Sequence, residues 1–140
     1  RDRAAHWVIG MQSKNGGWRS FDVDNTHYYL NHIPLADHGA LLDPPTANVS
    51  ARCLDFLAPA GYDKDHPALK AAVTYLRAEQ EDDGSWFGRW GTNYVYGTWS
   101  VLSALNAIGI PPEDEAVRKA VAWLDLEQRA DGGWGEDGAT

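Results

Sequence analysis

Cysteine is almost missing from this chain: Cys53 is the only one in 140 residues. No internal disulfide can form, and a four-thiolate zinc site is excluded. A reducing compartment fits that usage. Basic residues are also scarce, with 12 Lys and Arg against 20 Asp and Glu and a formal charge of -8. No Lys/Arg run interrupts this balance, so phosphate backbones and anionic headgroups are repelled and nucleic acid is not expected as a partner. No apolar run is long enough to span a bilayer, and no charged-then-apolar leader opens the chain. Any membrane contact of this stretch is expected to be peripheral. Long apolar-polar alternation between hairpin-type turns is lacking too, which leaves little evidence for strands.

What remains is the balance of one globular domain, 44% hydrophobic and 23% charged. The chain opens at Arg1-Asp2-Arg3 and stops at Ala139-Thr140, directly after a Trp-Gly turn. Both ends read as cuts through a longer protein.

Aligned with itself, the chain contains one pattern three times: Gln12 to Trp18, Gln80 to Trp86 and Gln128 to Trp134, each with Gly four residues after Gln. Each is preceded by a basic residue, alanine, an aromatic and an aliphatic, the aromatic always five residues before Gln, so the repeats span 3–18, 70–86 and 119–134. The copies lie 68 and 48 residues apart, which marks a supersecondary unit with variable insertions rather than a tight solenoid. A Gln at a helix end can bond free backbone groups, and an indole from the next turn can stack over its amide. The pair is therefore expected to tie adjacent helices together.

The segments before each Gln have helical periodicity. Leu69, Ala72, Val73 and Leu76 share a face behind Pro67, and Val117, Ala120, Val121 and Leu124 repeat the spacing. Glu113, Asp114 and Glu115 fit the first turn of that last helix, where negative charge complements the dipole. A helix is predicted from Asn93 to about Ile108 with Val101, Leu102, Leu105 and Ile108 inward and Gly109 as its cap, and another from Thr46 to Leu57 stopped by Gly61. The expected fold is all-α. Helices with two apolar faces must be covered on both sides, which suggests alternating inner and outer layers, an α/α toroid seen here as an incomplete α6/α6 barrel.

The triple pattern resembles the QW motif of class II terpene cyclases, and the sequence between the repeats is similar to squalene-hopene cyclases over essentially the whole chain. The resemblance is most specific at Gly17-Trp18 with Phe21-Asp22-Val23-Asp24-Asn25, at Asn31 to Pro34, at Asp43-Pro44-Pro45 and from Trp86 to Thr98. It implies a cofactor-free, metal-free cyclisation of squalene, in which an acidic aspartate protonates the terminal alkene and ring closures carry a cation along the folded substrate. By residue-wise carry-over Trp90, Phe21 and Tyr96 bind substrate as cavity aromatics, Phe21 standing where some relatives have tyrosine. Arg52 matches a His or Arg that supports the acid, and Asn48 stands beside it where the family pattern has aspartate. Gln12, Trp18, Gln80, Trp86, Gln128 and Trp134 are structural. The proton-donating Asp-x-Asp-Asp is not in this chain; Asp22 and Asp24 read as loop carboxylates. The resemblance further implies a protein peripheral or monotopic on the cytoplasmic face of the bacterial membrane. Its partners would be the rest of the same polypeptide and membrane lipid, and a homodimer is compatible with it.

Three other readings compete. His27, His32 and His38 lie among Asp24, Asp37 and Asp43, but their spacing matches no helix-based metal-ligand pair. Protein prenyltransferases share the toroid, yet Cys53, Asp55 and His66 do not fit their zinc-ligand order. A helical scaffold binding a peptide would need a polar groove instead of an aromatic wall. Within the cyclases, an oxidosqualene or other polyprenoid cyclase is the alternative; Arg89 and Asn93 beside Trp90 look more like the hopene type. The sequon at Asn48-Val49-Ser50 matters only in a secreted chain.

Overall fold

The computed structural model describes residues 2–34 and 42–136. These form five α-helices: α1 (Asp2–Gly10), α2 (Ala47–Leu57), α3 (Pro67–Ala78), α4 (Asn93–Ala107) and α5 (Glu115–Glu127). No strand occurs among the described residues. His38 and Asp37 fall outside them.

Helix starts follow local chemistry. Proline at the first position of α3 has a fixed φ and lacks only an N–H that would be orphaned anyway, while His66 accepts from the Ala68 amide at 3.2 Å. At α5, Asp114 is the capping residue, accepting from the Ala116 amide at 3.0 Å. Glu113 therefore lies just before the helix, not in its first turn as the charge pattern suggested. After α2 a short 3-10 turn, Ala58–Ala60, runs into Gly61 at φ +95°. Gly109, at φ +83°, follows α4 in the same left-handed conformation.

The apolar faces find two kinds of surroundings. Leu69, Ala72, Val73 and Leu76 of α3 are all buried, as are Val101, Leu105 and Ile108 along α4. In α5 the buried residues are Ala116, Ala120 and Trp123, whereas Val121 is 45% exposed. Val121 was expected inward; α5 packs on α4 along one side only, and its other apolar edge is uncovered among the described residues. Helices α2 and α4 make the most extensive packing, with α1 and α3 against α2 and α5 against α4. The result is one layer of α2 and α4 and another of α1, α3 and α5.

The Gln and Trp turns join these helices by a repeated set of bonds. Gln12 Nε2 donates to the Gly16 carbonyl (2.8 Å) and to the Ala68 carbonyl (2.8 Å) in the first turn of α3. Gln80 Nε2 does the same to Gly84 (2.9 Å) and to Ala116 (2.9 Å) in the first turn of α5. Each indole N–H returns to its own helix ten residues back, Trp18 to Val8 (2.7 Å), Trp86 to Leu76 (2.6 Å) and Trp134 to Leu124 (2.8 Å). The backbone amide of Trp18 donates to the Ser50 hydroxyl of α2 (2.9 Å), and that of Trp86 to the Thr98 hydroxyl of α4 (3.0 Å). One turn thus grips its own helix, the next outer helix and an inner helix. Gln128 donates to Gly132 at 2.9 Å, the local half of the same arrangement.

The two-carbonyl grip makes a test. Gln80→Leu, measured in the full-length polypeptide by denaturant titration, is expected to cost about 1–3 kcal/mol, because two partly buried carbonyls lose their donor. Gln80→Glu is nearly isosteric but points acceptors at acceptors, so it should cost at least as much at neutral pH. Its deficit should shrink as pH falls and the new carboxyl gains a proton to donate.

Candidate active-site wall

Trp90 sits on the short connection between the Trp86 turn and α4. That connection is closed by Gly88 N–H to Asn93 carbonyl (3.1 Å) and Gly91 N–H to Gly88 carbonyl (3.3 Å). The ring of Tyr96, in the first turns of α4, lies against both glycines: a Cβ on Gly88 would be 2.6 Å, and one on Gly91 2.5 Å, from Tyr96 Cδ1. Only glycine lets the loop lie this flat on the tyrosine. Trp90 is then held outward, 47% exposed, while Trp18 and Trp86 are 2% and 0% exposed. Size alone does not assign the three indoles to one role; two fill the core and one does not.

Phe21 meets Trp90 edge to face, with centroids 6.2 Å apart and planes at 87°. Its neighbour Ser20 donates to the Asp43 carboxylate at 2.9 Å, and Asp43, 1% exposed, forms an ion pair with Arg89 Nε. The Arg89 guanidinium stands 5.8 Å from the Trp90 ring centroid. Three segments far apart in sequence, around Phe21, Asp43 and Trp90, therefore converge. Phe87, Arg89, Trp90 and Gly91 line an open depression of about 480 Å³.

The chemistry of this wall is that of a cation's neighbour. Aromatic faces carry negative quadrupole density and no nucleophile, and stabilise a nearby cation by about 0.5–2 kcal/mol. An unpaired guanidinium beside the ring would oppose this by about 3 kcal/mol at 6 Å with an effective dielectric constant near 20. Asp43 offsets that field by pairing with Arg89.

The profile described as the squalene-hopene cyclase C-terminal domain matches residues 1–140. The chain belongs to that family. It is 65% identical over 109 residues to the squalene-hopene cyclase of Schizosaccharomyces japonicus and 64% identical over 109 residues to that of Zymomonas mobilis; each alignment covers 78% of this chain and 17% of the relative. Dammaradiene synthase of Dryopteris crassirhizoma is more distant, 39% identical over 122 residues, covering 81% of the chain and 18% of that protein. The chain thus spans less than a fifth of the length of these relatives. Squalene-hopene cyclase C-terminal domains have the α/α toroid fold, and the two helical layers seen here are a part of it.

In this member of the squalene-hopene cyclase family, Arg52 and Asn48 lie on α2. The Arg52 guanidinium covers the Trp99 ring at 4.7 Å and comes within 3.9 Å of Asp55. Burial raises the Asp55 pKa above the ordinary carboxylate range, opposed by the Arg52 charge and a Ser103 hydrogen bond. Asn48 is 2% exposed and its Oδ1 has no hydrogen-bond partner among the described residues. Asp22 accepts from the Asn25 side-chain amide at 2.7 Å, within the loop after Trp18, and Asp24 accepts from the Lys14 backbone amide at 3.1 Å, tying that loop back to the turn before Trp18. His27 precedes and His32 ends an exposed 3-10 turn, Tyr28–His32. No group of three His, Cys, Asp or Glu side chains among the described residues is arranged to hold a metal ion.

Cys53 is partly exposed, but burial of its thiol pushes the pKa up to about 12. Because the folded-state pKa exceeds the unfolded one, its contribution to stability is full below about pH 8.5 and is lost as pH rises toward 12. The thiolate is the reactive form. At pH 8 a disulfide-exchange reagent is expected to label Cys53 at least tenfold more slowly in the native full-length protein than in denaturant.

One contact beside this wall had no sequence signal. Glu136 accepts from three backbone amides at the start of α4: Asn93 (2.5 Å), Tyr94 (2.8 Å) and Val95 (3.1 Å).

Proposed function

We propose that this chain supplies part of the cavity wall of a squalene-hopene cyclase, in which squalene is protonated and cyclised through carbocations to pentacyclic hopanoids. The observation that carries the reading is Trp90: half exposed, set edge to face with Phe21 and backed by a neutralised Arg89–Asp43 pair. A carbocation passing this wall meets π density and no basic lone pair from these rings, so it is stabilised without being quenched. Tyr96, under the loop, fixes where the indole stands, and Phe21 fixes how it tilts. Arg52 supports the acid, which comes from another part of the polypeptide, by placing positive charge near its conjugate base. Asn48 contributes an amide there and no charge.

The substrate is a hydrocarbon, so the full-length protein takes it from a lipid bilayer and sits on the membrane surface. None of the described helices is long and apolar enough to cross a membrane.

The full-length protein, incubated with squalene and analysed by mass spectrometry, is expected to yield pentacyclic products. A folded protein that leaves squalene untouched but cyclises its epoxide would move the reading to an oxidosqualene cyclase. Inertness toward both would leave the wall without a substrate of this class.

A further inference from the structure

Helix α4 begins without a local cap. Thr92, its capping residue by position, makes no side-chain hydrogen bond to the first turn. The first amides of a helix have no intrahelical acceptor and need one. Here three of them converge on the carboxylate of Glu136, more than forty residues downstream. A carboxylate at this end also meets the positive end of the helix dipole. No other described residue bonds so many backbone amides of one helix start.

Glu136 is itself held. It follows the third Gln and Trp turn, whose indole bonds the Leu124 carbonyl of α5 at 2.8 Å, and the Gly135 carbonyl accepts from the Arg129 guanidinium at 3.0 Å. From α5 the path runs through Trp134, Gly135 and Glu136 to the amides of α4. It then passes to Tyr96, on which the Gly88–Gly91 loop rests, and so to Trp90.

We propose that Glu136 is a positioning residue for the cavity wall: it fixes the first turn of α4 and, through Tyr96 and the loop laid on it, the place of the Trp90 ring. This rests on the cyclase reading for its catalytic consequence but not for its structural one. A ring displaced by an ångström stabilises the wrong stage of a cation cascade, so the effect belongs in how products partition as well as in the rate.

The test uses the full-length protein with Glu136→Ala and Glu136→Gln. Amide hydrogen exchange in the segment from Gly88 to Val95 is read first, because it needs no substrate. Glu136→Ala is expected to speed exchange about tenfold or more, at Gly88 and Gly91 as well as at the three amides Glu136 holds. With squalene, the same variant should give a larger share of incompletely cyclised products and a lower kcat with KM little changed. Glu136→Gln, which keeps an accepting oxygen without the charge, should fall between parent and Ala variant. It also answers if the Ala variant does not fold.

Unchanged exchange at Gly88 and Gly91 would overturn the proposal, since the loop would then be independent of the cap. Altered exchange with the parental product ratio would overturn the catalytic part, since partition per turnover does not depend on how much protein is folded. If the parent itself leaves squalene unchanged, the cyclase reading fails, and the exchange result alone decides whether Glu136 orders the loop.

Discussion

Gly97→Ala is expected to destabilise the full-length polypeptide by about 3 kcal/mol or more, although adding Ala to a helix interior normally helps. The propensity gain is about 1 kcal/mol. Against it, a Cβ at Gly97 would stand 2.1 Å from the Trp86 carbonyl oxygen, 2.7 Å from Gly88 N and 2.8 Å from Phe87 C. All three are backbone atoms, so no side chain can rotate away, and overpacking of this kind costs about 1–3 kcal/mol or more even when relief exists. The Trp86 turn would have to lift from α4, stretching the bond from its amide to Thr98. Gly61→Ala is the comparison: its φ of +95° is strained for alanine, but nothing lies within 4 Å of the added carbon, so about 1–2 kcal/mol is expected. Denaturant midpoints of the two variants decide it. A Gly97→Ala protein as stable as its parent would mean that the turn and α4 stand further apart than described.

Trp90→Ala should lower the rate of pentacycle formation by about 30-fold, taking about 2 kcal/mol for a cation–π contact in a dry site and tenfold per 1.36 kcal/mol. It should also divert product toward species with fewer rings. Volume is lost as well as π density, and two further variants separate them. Trp90→Phe keeps a weaker π face, whereas Trp90→Leu fills space without one. A Leu variant as slow as Ala, with Phe well above both, would assign the effect to the ring's quadrupole. Equal rates for Phe and Leu would assign it to shape, and the cation-stabilising role of this wall would fall.

Much of the fold was legible because the signals are local. Pro67, the Asp114 cap and the spacing of Leu69, Ala72, Val73 and Leu76 each act within a turn or two of chain, and the helices begin and end near where they point. Val121 shows the limit: an apolar stripe reads the same whether or not a neighbour covers it, and here Val121 is left 45% exposed among the described residues. The family was legible through motif context. The Phe21–Trp90 contact and the Asp43–Arg89 pair were not, because nothing in spacing says that three loops meet. Gly97 reads only as a helix-weakening residue until the backbone crossing above it is seen. Glu136 was hidden for the same reason, as its partners lie 41–43 residues away and are amides, which every residue but proline has.

The Gln12 and Gln80 side chains address carbonyl oxygens of Ala68 and Ala116, and the glycine of each turn lies over the backbone of Ala71 or Lys119. Such a clamp recognises the main chain of its neighbour and is blind to what the neighbour's side chains are. Helices α1, α3 and α5, joined in this way, can exchange side chains without renegotiating how they are fastened to one another. Lengths between clamps can also drift, as the unequal intervals of 68 and 48 residues already display. A layer so fastened leaves its side chains free to vary while the frame they hang on stays put.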